Sequence, residues 1–106
     1  MRLYHNPRCS TSRQALALLT ERGVDFEVHR YLEEGISSED LALLASLEGI
    51  VRSKDAGRDV VAQLTTVQAV QDLLSNQPHL LERPVLVHNG QAVIGRPPED
   101  ILQLLE

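Results

Sequence analysis

The chain has 106 residues, of which 42% are hydrophobic and 24% are charged, a composition typical of a single globular domain. The net charge of −5 argues against a general nucleic-acid-binding protein, and the lack of any run of about 18 apolar residues argues against a membrane span. A single cysteine, Cys9, excludes an internal disulfide. Because the N-terminus also lacks the apolar core of a signal peptide, we expect a reducing, cytoplasmic location.

The N-terminal part of the chain predicts a β-α-β unit. "RLYH" is a short strand candidate, and a polar loop that contains Cys9 follows it. From Ser12 onward apolar residues recur at helical spacing, and Gly23 is placed to end this helix. Val24, Phe26 and Val28 then alternate with polar residues in "VDFEVH", which predicts a second strand parallel to the first.

The middle of the chain predicts helices. Ser37, followed three residues later by Asp40, resembles a capping box in front of the apolar stripe in "LALLASL". The stretch 48–62 is mixed, and we expect a loop with a short helix there. Thr66 is expected to cap a helix over "VQAVQDLLSN", which Pro78 ends.

The C-terminal part predicts a hairpin and a helix. Two apolar runs flank Asn89-Gly90, the pair preferred in a type I′ turn, and "RPPEDILQLLE" begins like a helix, with prolines and then acids. The order β-α-β, helices, β-β-α is the layout of the thioredoxin-like fold. We therefore predict one α/β domain over residues 1–106, with a mixed four-stranded sheet and a helical insertion at 33–77 between its halves.

The position of Cys9 suggests chemistry. A free cysteine is most often a small buried hydrophobic residue. Cys9, however, lies between a strand end and a helix start, where unpaired N–H groups and the helix dipole favour a thiolate and can bind an anion. His5 and Arg8 add possible positive charge. These are the conditions that lower a thiol pKa, so we favour a nucleophile.

Two segments carry a resemblance to a known family. "YHNPRCSTSRQALALL" and "ERPVLVHNGQAVIGRPPEDILQLL" resemble the active-site segment and the C-terminal signature of the arsenate reductases coupled to glutathione and glutaredoxin. The resemblance implies a thioredoxin-like fold with a helical insert, in agreement with the element order. It also implies an oxidoreductase that converts arsenate to arsenite without a bound cofactor or metal. Glutathione would be the co-substrate and glutaredoxin the protein partner.

The resemblance also implies roles for single residues. Cys9 matches the nucleophile, and His5 matches a histidine that helps to keep it a thiolate. Pro84 matches the cis-proline that faces the cysteine in thioredoxin-like folds. The residues that match the oxyanion-binding set are Ser12, Arg52, Arg83 and Arg96.

One member of that set has an alternative. The third arginine of the family lies in the middle segment, where "VRSKD" makes Arg52 the first candidate and Arg58 the second. Arginine forks suit a tetrahedral oxyanion because they form paired charge-assisted hydrogen bonds.

Two other functions remain open. The same site without a full arginine set would suit a glutathione-dependent thiol reductase of the same superfamily. A regulatory protein of the Spx type, which binds RNA polymerase, is less favoured because Ser12 stands where Cys-x-x-Cys would have its second cysteine. In each enzymatic reading the site is monothiol, so the reducing power comes from a partner.

Overall fold

A computed structural model describes residues 1–105 and contains one four-stranded mixed sheet with the strand order β2-β1-β3-β4. β1 pairs in parallel with β2 and antiparallel with β3, and β3 pairs antiparallel with β4. This is the predicted β-α-β and β-β-α arrangement. The strands are β1 (Arg2–Tyr4), β2 (Glu27–His29), β3 (Val85–His88) and β4 (Gln91–Ile94).

Six α-helices accompany the sheet in the described residues. α1 connects β1 to β2, and the other five lie between β2 and β3. None of the helices in residues 1–105 has the length and apolar character needed to cross a bilayer. The helices are α1 (Ser10–Glu21), α2 (Tyr31–Glu34), α3 (Leu41–Ala45), α4 (Ser53–Ala56), α5 (Arg58–Ala62) and α6 (Val67–Asn76), with 3₁₀ helices at Pro78–Leu80 and Pro98–Leu105.

The two faces of the sheet bury two different clusters, because neighbouring strand residues point to opposite sides. Leu3 and Leu86 pack on one face with α1 and the C-terminal 3₁₀ helix, whereas Tyr4 and Val85 pack on the other face with the middle helices. The first cluster also contains Ala15, Leu19 and Ile101, and the second also contains Tyr31, Leu44, Ile50, Leu74, Leu81 and Val87.

Most local signals of the sequence are confirmed. Gly23 has a φ of +66° and follows the end of α1, as a left-handed cap residue should. The Thr66 hydroxyl accepts a hydrogen bond from the Ala69 N–H at 3.1 Å. Asn89 and Gly90 have φ values of 52° and 74°, which fit the type I′ turn between β3 and β4.

Two elements differ from the prediction. β2 covers only Glu27–His29, because β1 is three residues long and offers no partner to 24–26. Val24 and Phe26 instead pack beside the α1 cluster, and Val28 is 39% exposed. The final helix over Pro98–Leu105 is a 3₁₀ helix, which the three-residue spacing of its apolar side chains permits. Its predicted last residue, 106, lies outside the described residues.

The capping box predicted at Ser37 and Asp40 is wrong. α3 begins at Leu41, and the buried Asp40 side chain makes no capping hydrogen bond. Asp40 Oδ2 instead accepts hydrogen bonds from Arg2 Nη1 at 2.6 Å and from the Tyr4 hydroxyl at 2.7 Å. Burial first, and then this carboxylate, raise the pKa of Tyr4. Asp40 therefore ties β1 to the middle helices, since two partners on β1 compete successfully with a local cap.

Candidate active site

Cys9 occupies the turn between β1 and α1. It is the N-cap residue of α1, with φ −94° and ψ 121°, and its carbonyl accepts a hydrogen bond from the Arg13 N–H at 3.0 Å. Its own N–H donates to the Asn6 carbonyl at 3.0 Å. Cys9 is partly exposed, so the loop presents the sulfur at the start of the helix rather than in the core.

Three donors surround the sulfur. Burial raises the pKa of the Cys9 thiol. The Ser12 N–H and the guanidinium groups of Arg83 and Arg96 together lower it by more than burial raises it, so the pKa lies below its ordinary value. Arg96 Nη1 lies 3.9 Å from Cys9 Sγ and also donates to the Arg83 carbonyl at 2.9 Å. The environment therefore favours the thiolate, which is the nucleophilic form of cysteine.

The His5 side chain contacts Ser12, and in the part of the chain that the structure describes it forms no hydrogen bond with Cys9. His5 Nδ1 lies 2.7 Å from Ser12 Oγ, which also accepts the Asn6 N–H at 3.0 Å. His5 is buried, and burial followed by the charges of Arg30 and Arg13 lowers its pKa. A neutral imidazole is therefore favoured, and the histidine reaches Cys9 only through Ser12.

Ser12 reaches the site through its main chain. Its side chain is fully buried and its hydroxyl faces His5 and the Asn6 N–H, whereas its own N–H faces the sulfur of Cys9. The structure thus brings the predicted residue to the site but turns its hydroxyl away from it.

The three predicted arginines lie together with two carboxylates. Asp55 Oδ2 is 2.8 Å from Arg52 Nε and 3.7 Å from Arg83 Nη1. Glu82 Oε1 is 3.3 Å from Arg52 Nη1 and 3.7 Å from Arg96 Nη1. Each carboxylate oxygen therefore bridges two guanidinium groups. The Arg52–Asp55 pair is local, three residues apart, but the links of Asp55 to Arg83 and of Glu82 to Arg52 join distant segments, so the sequence did not mark these acids as site residues.

Arg58, the second candidate for the middle arginine, lies apart from this cluster. It is exposed at the start of α5 and lines an open pocket with Lys54 and Val61. Arg52 is the middle arginine that joins Arg83 and Arg96.

Close packing of Gly95 on Pro84 positions Arg96 beside Arg83. The Arg83–Pro84 peptide bond is cis, as the resemblance implies, and Pro84 is buried. The Gly95 N–H donates to the Pro84 carbonyl at 2.8 Å. A Cβ on Gly95 would lie 2.9 Å from Pro84 Cγ and 2.8 Å from Ile101 Cγ2, so only glycine fits there. This contact brings the end of β4, and with it Arg96, against the residue before the proline.

Three buried side-chain atoms in residues 1–105 have no hydrogen-bond partner, and all three belong to this region. They are Arg52 Nε, Arg83 Nε and the Tyr31 hydroxyl. Arg52 Nε is near Asp55, but the angle between them does not allow a hydrogen bond. Burial raises the pKa of Tyr31 above its ordinary value, and the charge of nearby Arg83 offsets part of this rise. Nothing in the sequence marks Tyr31, which follows the second strand, as a neighbour of Arg83.

The arrangement places a thiol of lowered pKa beside several hydrogen-bond donors. A thiolate can act as a covalent nucleophile, and guanidinium forks such as those of Arg83 and Arg96 can donate paired hydrogen bonds to the oxygens of an anion. The first-turn N–H groups of α1 add donors of the same kind.

A family model described as the ArsC family matches residues 4–104. The chain belongs to the ArsC family. Among its relatives, a Neisseria meningitidis protein named arsenate reductase is 38% identical, over 99% of this chain and 97% of its own length. A solved structure titled arsenate reductase from Vibrio cholerae is 36% identical, covers 97% of both chains and has a TM-score of 0.78. This similarity confirms the thioredoxin-like α/β fold.

The chain is also similar to a protein whose name states a different role. The regulatory protein MgsR of Bacillus subtilis is 32% identical, over 95% of this chain and 86% of its own length. Membership of the family alone therefore does not distinguish an enzyme from a regulator. The residues of the site have to be used to distinguish them.

Proposed function

We propose that this protein is a glutathione- and glutaredoxin-dependent arsenate reductase with Cys9 as its nucleophile. The observation that carries the proposal is the placement of Arg96 Nη1 at 3.9 Å from Cys9 Sγ, inside a cluster of three arginines. A thiolate alone would serve many reactions, whereas a thiolate beside several guanidinium forks suits attack on a tetrahedral oxyanion.

The first step forms a covalent adduct. Arsenate binds to the guanidinium groups of Arg83 and Arg96 and to the first-turn N–H groups of α1. The Cys9 thiolate attacks arsenic, an arsenic–oxygen bond breaks, and the oxygen leaves as water after taking up protons. The product is a sulfur–arsenic(V) bond, and no oxidation state has changed.

The second step needs a thiol from outside, because Cys9 is the only cysteine in the chain. The glutathione thiolate attacks the Cys9 sulfur, the sulfur–arsenic bond breaks, and its electron pair stays on arsenic. Arsenic(V) becomes arsenic(III) and leaves as arsenite, while two thiols become one mixed disulfide. A glutaredoxin thiolate then takes the glutathionyl group and frees Cys9 by thiol–disulfide exchange. No bound cofactor or metal takes part, and the chemistry fits a reducing cytoplasm.

A second candidate function is regulatory, and the similarity to MgsR favours it. A Cys-x-x-Cys switch would need a second cysteine at Ser12, whose hydroxyl is buried against His5. Binding to RNA polymerase would also leave the cluster of Arg52, Arg83 and Arg96 without a purpose. We therefore rank this function below the reductase.

The test is arsenate-dependent oxidation of NADPH with glutathione, glutathione reductase and glutaredoxin supplied. We expect NADPH oxidation that needs arsenate and is lost in Cys9→Ser. Glutathione-dependent reduction of a small disulfide without any arsenate reduction would favour the thiol reductase instead. A pull-down with purified RNA polymerase tests the regulatory candidate, and stable capture without arsenate reduction would overturn the enzymatic proposal.

A further inference from the structure

The arginine cluster is already engaged by carboxylates of the same chain. Asp55 Oδ2 lies between Arg52 and Arg83, and Glu82 Oε1 lies between Arg52 and Arg96. With Cys9 as a thiolate, three negative charges face three positive ones. An incoming oxyanion therefore meets a cluster without net positive charge, and it has to compete with the resident carboxylates for the guanidinium groups.

The two carboxylates are held to different degrees. Glu82 is 19% exposed, and its Oε1 also accepts the Arg83 N–H at 3.2 Å. The Glu82 main-chain N–H donates to the Ile50 carbonyl at 2.7 Å, which fixes the residue against the core. Glu82 is therefore a fixed part of the site.

Asp55 is held loosely. Its side chain is 43% exposed, and α4, on which it lies, is a four-residue helix without a buried residue. Its 2.8 Å contact with Arg52 Nε lacks hydrogen-bond geometry, so that buried N–H has no acceptor within residues 1–105. Arg83 Nε has none either. An oxyanion that displaced Asp55 could accept from both N–H groups, which Asp55 does not.

We infer that Asp55 is a resident carboxylate that occupies the clamp between Arg52 and Arg83 in the empty site and is displaced by the substrate. The inference rests on the proposed function and assigns Asp55 as a specificity-determining residue. Its charge lowers the affinity for every oxyanion. The loss of affinity is smallest for an anion that displaces Asp55 and then accepts hydrogen bonds from both Arg52 Nε and Arg83 Nε, as a tetrahedral dianion can. Asp55 would thus discriminate against weaker anions such as carboxylates.

The test is calorimetric titration of the purified protein with inorganic phosphate, an unreactive tetrahedral oxyanion, at fixed ionic strength. We expect Asp55→Asn to lower the Kd for phosphate about three- to tenfold, because it removes two ion pairs that are partly screened by solvent. The matched control is Asp59→Asn, which removes an exposed carboxylate on the neighbouring helix α5. The control should stay within about twofold of the wild type.

The outcomes separate this inference from the proposed function. If phosphate binds the wild type but Asp55→Asn has the same or a higher Kd, Asp55 is no competitor, and this inference alone falls. If neither protein binds phosphate at millimolar concentration, the oxyanion site itself falls, and with it the proposed function. A fall in the arsenate KM of Asp55→Asn by the same factor as the Kd would support both. Circular dichroism melting would show that the exposed substitution leaves the fold intact.

Discussion

Arg96 Nη1 donates to Cys9 Sγ at 3.9 Å, although 87 positions of sequence separate the two residues. The contact joins the end of β4 to the start of α1, and it exists because Gly95 packs directly on Pro84. Through this contact the Arg96 guanidinium helps to lower the pKa of the Cys9 thiol.

The first prediction concerns the acidity of Cys9. Alkylation by iodoacetamide, followed across pH, should inflect below the value of about 8.5 that is typical of a free cysteine. Arg83→Gln should raise the inflection, because the Arg83 guanidinium is one of the groups that lower the pKa. The control Arg22→Gln, at the far end of α1, should leave it unchanged. An inflection at or above about 8.5 in the wild type would contradict the role of Cys9 as an activated nucleophile.

The second prediction concerns the arginine forks. Arg96→Lys keeps the positive charge but loses the planar fork, so arsenate turnover should fall at least about tenfold. Arg83→Lys should behave in the same way, and Arg22→Lys should retain full turnover. Alkylation of Cys9 at high pH should barely change in any of the three, because that reaction needs the thiolate and no oxyanion. Wild-type turnover in either site variant would argue for a thiol substrate.

A third prediction follows from the depressed pKa of His5. Below about pH 6.5 the unfolded chain protonates this histidine more readily than the folded protein does, so the free energy of unfolding falls as the pH decreases through this range. His5→Gln cannot titrate and should show a smaller fall between pH 7.5 and pH 5.5 in urea denaturation. The control His79→Gln removes an exposed histidine and should keep the wild-type fall. Equal falls in all three proteins would mean that His5 is not held neutral.

The fourth prediction concerns Asp40, whose carboxylate accepts hydrogen bonds from Arg2 and Tyr4. Asp40→Asn should lower the free energy of unfolding by about 2–4 kcal/mol, because it removes the charge from a buried pair of hydrogen bonds. Solvent reaches this pair only in part, through the Arg2 side chain. Glu39→Gln is the control, since the neighbouring Glu39 side chain is 80% exposed, and it should cost less than about 0.5 kcal/mol. Similar unfolding curves for Asp40→Asn and the wild type would contradict the structural role.

The sequence predicted the features that depend on neighbouring residues. The Asn89-Gly90 turn, the Thr66 cap and the end of α1 at Gly23 follow from local backbone preferences, and the structure contains all three. The placement of Cys9 at the start of a helix follows in the same way, since strand, polar loop and helix are consecutive in the chain.

The features that depend on distant partners could not be read in this way. Asp40 sits three residues after a serine, as in a capping box, but Tyr4 and Arg2 on β1 attract its carboxylate. The i,i+3 spacing of Arg52 and Asp55 permits a local pair, but no pattern links Asp55 to Arg83 or Glu82 to Arg52. The meeting of Arg83 with Arg96 was expected only through the family resemblance, because no spacing rule links a residue before β3 to one after β4.

Attack of Cys9 on arsenate is tested by separating and quantifying arsenite and arsenate after incubation with glutathione and glutaredoxin. We expect the wild type to form arsenite and Cys9→Ser to form none above background. We also expect glutathione and glutaredoxin together to support repeated turnover, since the chain has no second thiol to release Cys9. Arsenite formed equally by wild type and Cys9→Ser, or no arsenite with every partner present, would contradict the claim that Cys9 attacks arsenate.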